Sequence, residues 1–283
     1  MKTTASIDSV VGELFGKYAV AKYRPTPDDI LKEDKIYCRK CGEVKAVKSW
    51  NGIIGADVWK TVLCPCLRDG LEKERQAEAE EAEKLRVIRI KESYSEDQFL
   101  SVLGKRYKDV RFSDEFYSSN EREKDFLAVS SRLQKFVENF EKASERNIGW
   151  WLWSPNRGNG KTSLAACVRN GLLDRGISCI VTSVSDIHQF SRESATDNFR
   201  KCMTCRCLII DDIGLDKLSD WESETFHKVI NHRYLSDGLV TCYTSNFPME
   251  SLRDCNVKVA TISRMDEVTP QIFELKGSSM RVR

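Results

Sequence analysis

The sequence predicts an α/β fold, in which a parallel sheet carries helices on both faces, together with a small N-terminal metal-binding domain. Three observations support this prediction. A short apolar strand pattern at 150–153 leads through a glycine-rich loop into a helical pattern. Short β-branched runs then alternate with helical patterns, as they do in βαβ units. Two closely spaced cysteine pairs near the N-terminus are the third observation.

Composition limits the classes of protein to consider. The chain has 283 residues, with 45 Lys and Arg against 43 Asp and Glu, so its overall charge does not indicate a nucleic-acid binder. A hydrophobic fraction of 41% permits a buried core, and no apolar run is long enough for a transmembrane helix. The first residues lack an apolar signal core. We therefore expect a cytoplasmic protein with no membrane partner, whose 11 cysteines are thiols or metal ligands rather than disulfides.

The patterning predicts three segments. Residues 1–69 hold both cysteine pairs and begin with a helical stripe of apolar residues over Ile7–Tyr23. Residues 70–95 are typical of a charged linker helix, because their charges recur at i,i+4 spacing without an apolar heptad. Residues 96–283 form the α/β domain. Its predicted strands are 150–153, Cys179–Val184, Cys207–Asp211 and Val240–Thr244.

The loop after the first strand is typical of a phosphate-binding loop. Its glycines let the backbone curl around phosphates and direct N–H groups at them. Lys161 can reach the β- and γ-phosphates, and the hydroxyl of Thr162 can bind Mg²⁺. Pro155 stands where this pattern usually has glycine, and the following helix is predicted over Thr162–Leu173. ATP and Mg²⁺ are thus the expected ligands, and the predicted contacts are Gly158, Asn159, Gly160, Lys161, Thr162 and Ser163.

Two later strands end in polar side chains. The apolar run from Cys207 ends in Asp211 and Asp212, where the first acid can hold Mg²⁺ and the second can orient the attacking water. Asn246 follows the next strand and can hold that water or the γ-phosphate. The alternative for the two acids is a plain turn, and the alternative for Asn246 is a helix cap. Many ATPases of this kind carry Glu in the second acidic position, so the shorter Asp212 predicts slow hydrolysis.

The cysteine pairs predict a zinc site. Cys38 and Cys41 stand two residues apart before a glycine, and Cys64 and Cys66 follow with one residue between them. Four thiolates suit tetrahedral Zn²⁺ and leave no open position for catalysis. A hairpin with its turn at 52–55 can connect the pairs. A domain this small is expected to need the metal in order to fold; the alternative is four reduced cysteines without a metal.

The order of these motifs resembles the AAA+ helicase loaders of the DnaC/DnaI type over about residues 100–283. This resemblance implies an AAA+ P-loop ATPase core. It also implies that Arg264 is an arginine finger that reaches a neighbouring subunit's γ-phosphate, and that Arg281 contacts the nucleotide in its own subunit. Besides the phosphate loop, the matching motifs are Ile-Asp-Asp-Ile-Gly at 210–214, Tyr-Thr-Ser-Asn at 243–246, Ile-Ser-Arg-Met at 262–265 and Gly-Ser-Ser-Met-Arg at 277–281.

The resemblance also implies partners. Loaders of this type bind a hexameric replicative helicase, self-associate through their AAA+ domains and deliver the helicase to single-stranded DNA. DnaI-type loaders dock on the helicase through an N-terminal zinc-binding domain, which residues 1–69 resemble in layout. A phage or prophage is one source that we consider for such a chain. The candidate DNA contacts are Arg192, Arg200 and Lys201, and Arg233 is a candidate for a contact between subunits.

Three other functions stay open. An IstB-type transposition helper shares residues 100–283 in outline, although the four-cysteine module argues against it. A small-molecule P-loop kinase would need a substrate pocket and would not need the Thr-Ser-Asn strand with its late arginines. A nucleotide-gated adaptor that hydrolyses almost nothing is compatible with Asp212.

Overall fold

The structure of the chain is a computed structural model. It divides into two compact units, residues 1–83 and 84–283, which are described separately. The helix predicted over Ile7–Tyr23, the turn at 52–55 and Arg281 lie outside the described residues. None of the described helices combines the length and the apolar character needed to cross a membrane. The structure describes residues 29–51, 56–62, 64–94, 104, 107–112, 124–192 and 197–276.

The first unit contains a four-stranded antiparallel sheet whose strands follow one another in chain order. The hairpin predicted between the cysteine pairs is present as its third and fourth strands, with Asn51 paired with Ala56. The first two strands were not predicted, because each is only four residues long. The strands are β1 (Asp29–Lys32), β2 (Lys35–Cys38), β3 (Val44–Asn51) and β4 (Ala56–Thr61).

The charged helix α1 spans Pro65–Tyr94 and is exposed along most of its length. Its last turns, which belong to the second unit, are held firmly. Lys91 pairs with Asp174 at 2.7 Å, and the carbonyl of Tyr94 accepts a 2.6 Å hydrogen bond from Arg169. The prediction of a solvated linker helix therefore describes its exposed part and is wrong for its C-terminal turns.

The second unit contains a parallel five-stranded sheet with the order β6-β7-β8-β5-β9. Four of its strands lie where the sequence predicted them, within two residues at each end. The edge strand β9 was not predicted, since its exposed residues give no apolar run. The strands are β5 (Trp150–Trp153), β6 (Cys179–Thr182), β7 (Cys207–Ile213), β8 (Val240–Ser245) and β9 (Gln271–Glu274).

Helices cover both faces of this sheet. Alternation along β5 directs Trp150 and Leu152 into the cluster packed under α2 and α4, and Trp151 into the cluster on the opposite face. These tryptophans therefore pack against the helices on the two faces of the sheet. The helices are α2 (Lys124–Glu138), α3 (Phe140–Ser144), α4 (Lys161–Asp174), α5 (Val184–Arg192), α6 (Asp197–Thr204), α7 (Asp220–Tyr234), the 3-10 helix Met249–Cys255 and α8 (Val259–Val268).

Two buried features fix the neighbourhood of β8. Gly149, just before β5, has no room for a side chain, because a Cβ atom there would lie 1.9 Å from the carbonyl oxygen of Thr241. Arg233 is 1% exposed and donates hydrogen bonds to Thr241 Oγ1 and to the carbonyls of Cys205 and Val240 at 2.7–2.9 Å. Arg233 was a candidate for a contact between subunits, but its buried guanidinium makes its hydrogen bonds inside the fold.

Candidate functional site

The predicted phosphate loop connects β5 to α4. Gly158 and Gly160 have φ angles of +78° and +98°, in the left-handed region that favours glycine. Gly160 is the N-cap of α4 and offers no side chain to the helix's first N–H groups. The loop and the helix N-terminus thus present backbone donors in the arrangement that binds phosphate.

A buried polar cluster fixes the base of this loop. The Ser154 hydroxyl donates to the carbonyl of Leu275 at 2.5 Å, and the Asn159 amide donates to that hydroxyl and, at 3.2 Å, to the same carbonyl. Ser154 is fully buried, and Asn159 is 3% exposed. The Asn159 side chain, predicted as a nucleotide contact, therefore positions the loop against the end of β9, which leaves its backbone N–H for a phosphate.

Lys161 opens α4 and is buried. Its ammonium donates to the carbonyl of Asn156 at 3.3 Å and to Oδ1 of Asn159 at 3.4 Å, both neutral acceptors. Its positive charge partly opposes the rise in the pKa of Asp211 that burial causes. An anionic phosphate at the loop would give this ammonium a stronger partner than either amide oxygen.

The predicted magnesium ligands meet in the structure. The Thr162 hydroxyl donates to Asp211 Oδ2 at 3.0 Å, and the Thr244 hydroxyl donates to the other carboxylate oxygen. Burial raises the pKa of Asp211 to about 6, and the hydrogen bond from Thr244 opposes this rise. Thr162, Asp211 and the loop are a donor set that fits Mg²⁺ beside phosphates. Thr244 was missed in the sequence, because a threonine within an apolar strand is an ordinary β residue.

The second acid of the pair faces solvent. Asp212 has a φ of +54°, unusual for a residue other than glycine, and its backbone N–H donates to the Thr244 hydroxyl at 3.0 Å. The Asn246 amide lies 3.5 Å from Asp212 Oδ1. Since β8 lies between β5 and β7, Asn246 follows the strand that separates the phosphate loop from the acids. The structure therefore brings Asp212 and Asn246 together at one end of the sheet.

Of the two arginines predicted from the family resemblance, the structure describes Arg264. Arg264 on α8 donates to the carbonyl of Ala260 at 3.1 Å, and its guanidinium lies 5.7 Å from the Tyr234 ring centroid. These contacts are on α7 and α8, with no contact to Lys161 or Asp211 of its own chain among those that the structure describes. Arg281 lies outside the described residues.

The three candidate DNA contacts differ in exposure. Lys201 is 8% exposed, donates to the carbonyl of Ser93 at 3.0 Å and pairs with Asp197 at 3.2 Å. Its predicted role as a phosphate contact is wrong, because this buried ammonium is hydrogen-bonded to the last turn of α1. Arg200 is exposed and pairs with Asp197, while Arg192 is exposed at the end of α5.

Three of the four cysteines of the first unit form a cluster, and the fourth interacts with one of them. The sulfurs of Cys38, Cys41 and Cys64 all lie within 4.8 Å of one another. Backbone N–H groups of Cys41 and Lys40 lower the pKa of the Cys38 thiol to about 7. A hydrogen bond with the Cys41 thiol raises the pKa of Cys66 to about 11, so the fourth sulfur adjoins the cluster. Four thiols at the end of a β-hairpin and the start of a helix fit tetrahedral Zn²⁺.

Comparison with known proteins agrees with this geometry. The sequence pattern of the IstB-like ATP binding proteins matches residues 132–283. The replicative helicase loader DnaC of Escherichia coli (strain K12) is 30% identical over 114 residues, 36% of this chain and 43% of the relative. The replicative helicase loader DnaI of Bacillus subtilis (strain 168) is 26% identical over 133 residues, 45% of this chain and 42% of the relative. The match thus spans less than half the length of these curated relatives.

A solved structure supports the fold. The crystal structure of the DnaC helicase loader superposes with a TM-score of 0.52 at 21% identity, covering 61% of this chain and 100% of that one. At this identity the match speaks for the α/β fold alone. The resemblance to DnaC/DnaI-type loaders predicted from the motif order is confirmed by these relatives.

Proposed function

The chain belongs to the family of IstB-like ATP-binding proteins, and from this premise we propose that it is an ATPase that binds a hexameric replicative helicase and delivers it to single-stranded DNA. The observation that carries the ATPase part is the meeting of Thr162 with Asp211 beside the buried Lys161 at the phosphate loop. Thr162 on α4 and Asp211 on β7 are far apart in the sequence but form one polar site. A glycine turn that had arisen by chance would not be expected to lie beside such a site.

The proposed chemistry divides among the residues of this site. Backbone N–H groups from Gly158 to Ser163 and the Lys161 ammonium hold the triphosphate. Thr162 and Asp211 hold Mg²⁺, which when bound neutralises charge that develops on the phosphates. Asp212 and Asn246 orient the water that attacks the γ-phosphate. Because the Asp212 side chain is one methylene shorter than Glu, we expect slow turnover.

We propose that the site is completed by another copy of the chain. Transition-state charge on the γ-phosphate calls for a guanidinium. Arg264 contacts Tyr234 and Ala260 in its own chain, and this position suits a role at a neighbouring subunit's site. Arg281 is the proposed nucleotide contact in cis. Full activity would then require self-association.

The names of the relatives support the proposed client, since both DnaC and DnaI are replicative helicase loaders. We assign helicase docking to residues 1–69 and their zinc module, and single-stranded DNA binding to the ATPase domain. A transposition helper of the IstB type is the second candidate function, because the matching family bears that name. An adaptor with little hydrolysis is distinguished from both by its rate.

Affinity capture tests the client. The tagged full-length chain, its Lys161→Ala variant and a Cys38→Ser/Cys64→Ser variant would be exposed to host lysate with ATP, and the captured proteins identified by mass spectrometry. We expect the replicative helicase with the wild-type chain and its loss with the cysteine variant. Purified helicase would then be tested for transfer to circular single-stranded DNA. Capture of a transposase instead would favour the helper function and contradict the loader.

A further inference from the structure

We infer that a groove beside the edge strand β9 binds an acidic, extended peptide segment of another protein. The groove has a volume of about 870 Å³ and belongs to the second unit. The C-terminal half of α2, the segment from α3 to β5, and the start of β9 form its walls. The inference does not depend on the proposed function, because none of these residues belongs to the ATPase site.

The groove has an excess of positive charge. Four cations line it against a single acid, Glu145. Arg132 lies with its guanidinium 5.9 Å from the Phe273 ring centroid, and within the described part of the chain none of the four cations forms an ion pair. Uncompensated cations on one surface attract acidic partners. The four are Arg132, Lys135, Lys142 and Arg146.

The strand at the groove has an open edge. Among the described strands β9 pairs only with β5. The N–H of Leu275 donates to the carbonyl of Trp153 at 2.9 Å. Because backbone groups alternate along a strand, those of Ile272 and Glu274 point away from β5. An exposed edge of this kind accepts an added strand through its main-chain hydrogen bonds.

The side chains favour a peptide over a nucleic acid. Phe136 and Phe273 are 7% and 5% exposed, so the groove offers no open aromatic face for stacking a base. Ile272 is 51% exposed, and Ile148 is half-buried beside it, which gives an apolar contact for alternate side chains of an added strand. A peptide alternating acidic and apolar residues matches the backbone edge, the isoleucines and the cations together.

Binding of a defined probe tests this inference. The probe is a fluorescent peptide of about ten residues that alternates glutamate and valine, a length that suits one added strand. We expect the full-length chain to bind it, and Lys142→Glu/Arg146→Glu to weaken binding about tenfold or more, since both cations are exposed rim charges. The matched control, Arg175→Glu/Lys228→Glu, removes two exposed cations elsewhere and should bind like wild type. Hydrogen exchange at Ile272 and Glu274 should slow when the peptide is added.

Several results would overturn the inference. Equal loss of binding in both double variants would show nonspecific attraction. Unchanged exchange at β9 with bound peptide would exclude strand addition. Binding of oligothymidylate, but not the peptide, that is lost in Lys142→Glu/Arg146→Glu would assign the groove to nucleic acid. Self-association without peptide binding, abolished by the same variant, would assign it to a second copy of the chain.

Discussion

The described residues of the two units differ in how many apolar side chains they bury. In the unit of residues 84–283, two apolar clusters fill both faces of the sheet. In the unit of residues 1–83, the described residues bury four apolar side chains, Ile36, Cys38, Ala46 and Cys64. Two of these four are proposed zinc ligands. This difference supports our proposal that zinc stabilises the first unit, whose described residues bury few apolar side chains.

The largest expected effect is the unfolding of the first unit, without the second, when zinc is lost. Removing zinc by chelation, or replacing Cys41 with serine, should unfold the sheet β1–β4, because structural zinc contributes about 10–16 kcal/mol of apparent binding free energy to such small domains. ATP binding by the second unit should persist. Zinc content by plasma mass spectrometry and hydrogen exchange across 29–51 would measure both effects.

The matched control for that experiment is Cys255→Ser, a change at a half-buried cysteine of the second unit. It should leave the zinc content at one ion per chain. A wild-type zinc content far below one ion per chain would contradict the proposal that zinc stabilises the first unit. Unchanged hydrogen exchange across residues 29–51 after chelation would contradict it as well.

The next largest effect is the loss of ATP turnover in variants whose two units stay folded. Lys161→Ala should remove ATP binding, and Arg264→Ala should keep binding but lower turnover by about 10³-fold or more, as loss of an arginine finger does. A mixture of the two variants should regain part of the turnover, because Arg264 of the first can serve the intact loop of the second. Phosphate release measures this recovery.

Arg253→Ala, an exposed arginine on the 3-10 helix, is the control and should turn over normally. Normal turnover in Arg264→Ala would remove the finger assignment. Absence of recovery in a mixture that still assembles would argue that the arginine acts within its own chain.

A smaller effect is the loss of stability expected when the packing of the second unit is disturbed at Gly149. Gly149→Ala places a Cβ atom 1.9 Å from the Thr241 carbonyl oxygen, and the backbone shift that follows should lower the free energy of unfolding by about 1–3 kcal/mol. Gly70→Ala is the matched control, since nothing lies within 4 Å of its added Cβ. It should be stabilising, because alanine favours a helix interior. Denaturant unfolding read from the tryptophans measures both, and a neutral Gly149→Ala would refute the tight approach.

The smallest effect concerns the surface of the second unit. Hydrogen bonds from Arg206 hold the pKa of Glu141 below its usual 4.5. The ionised carboxylate therefore stabilises the fold above that pH, and this stabilisation is lost as pH falls through the lower folded-state pKa. Glu141→Gln should cost at most about 0.5 kcal/mol at pH 7, because the pair is exposed, and nothing at low pH. A cost independent of pH would show that packing rather than charge is responsible.

Local patterns in the sequence were sufficient for much of the site. The strand–loop–helix unit around Lys161, the two acids in the C-terminal half of β7 and the hairpin between the cysteine pairs all lie where they were predicted, because each depends on neighbouring residues. The roles of Arg264 and of the zinc ligands remain predictions. β9 was missed, since an exposed edge strand has little apolar pattern.

Tertiary contacts determine the hydrogen-bond partners and the burial of several polar residues, which no local sequence pattern indicates. Thr244 supports Asp211 only because β8 lies beside β7, and Asn159 turns inward only because Leu275 ends the neighbouring strand. Lys201 is buried because its ammonium donates a hydrogen bond to the carbonyl of Ser93 in the same unit, although its sequence context suggested a contact with DNA. The sequence by itself determined which residues can bind phosphate or metal, through their chemistry and spacing. The tertiary structure alone decided which polar groups face one another across distant segments, because burial forces each of them to find a partner.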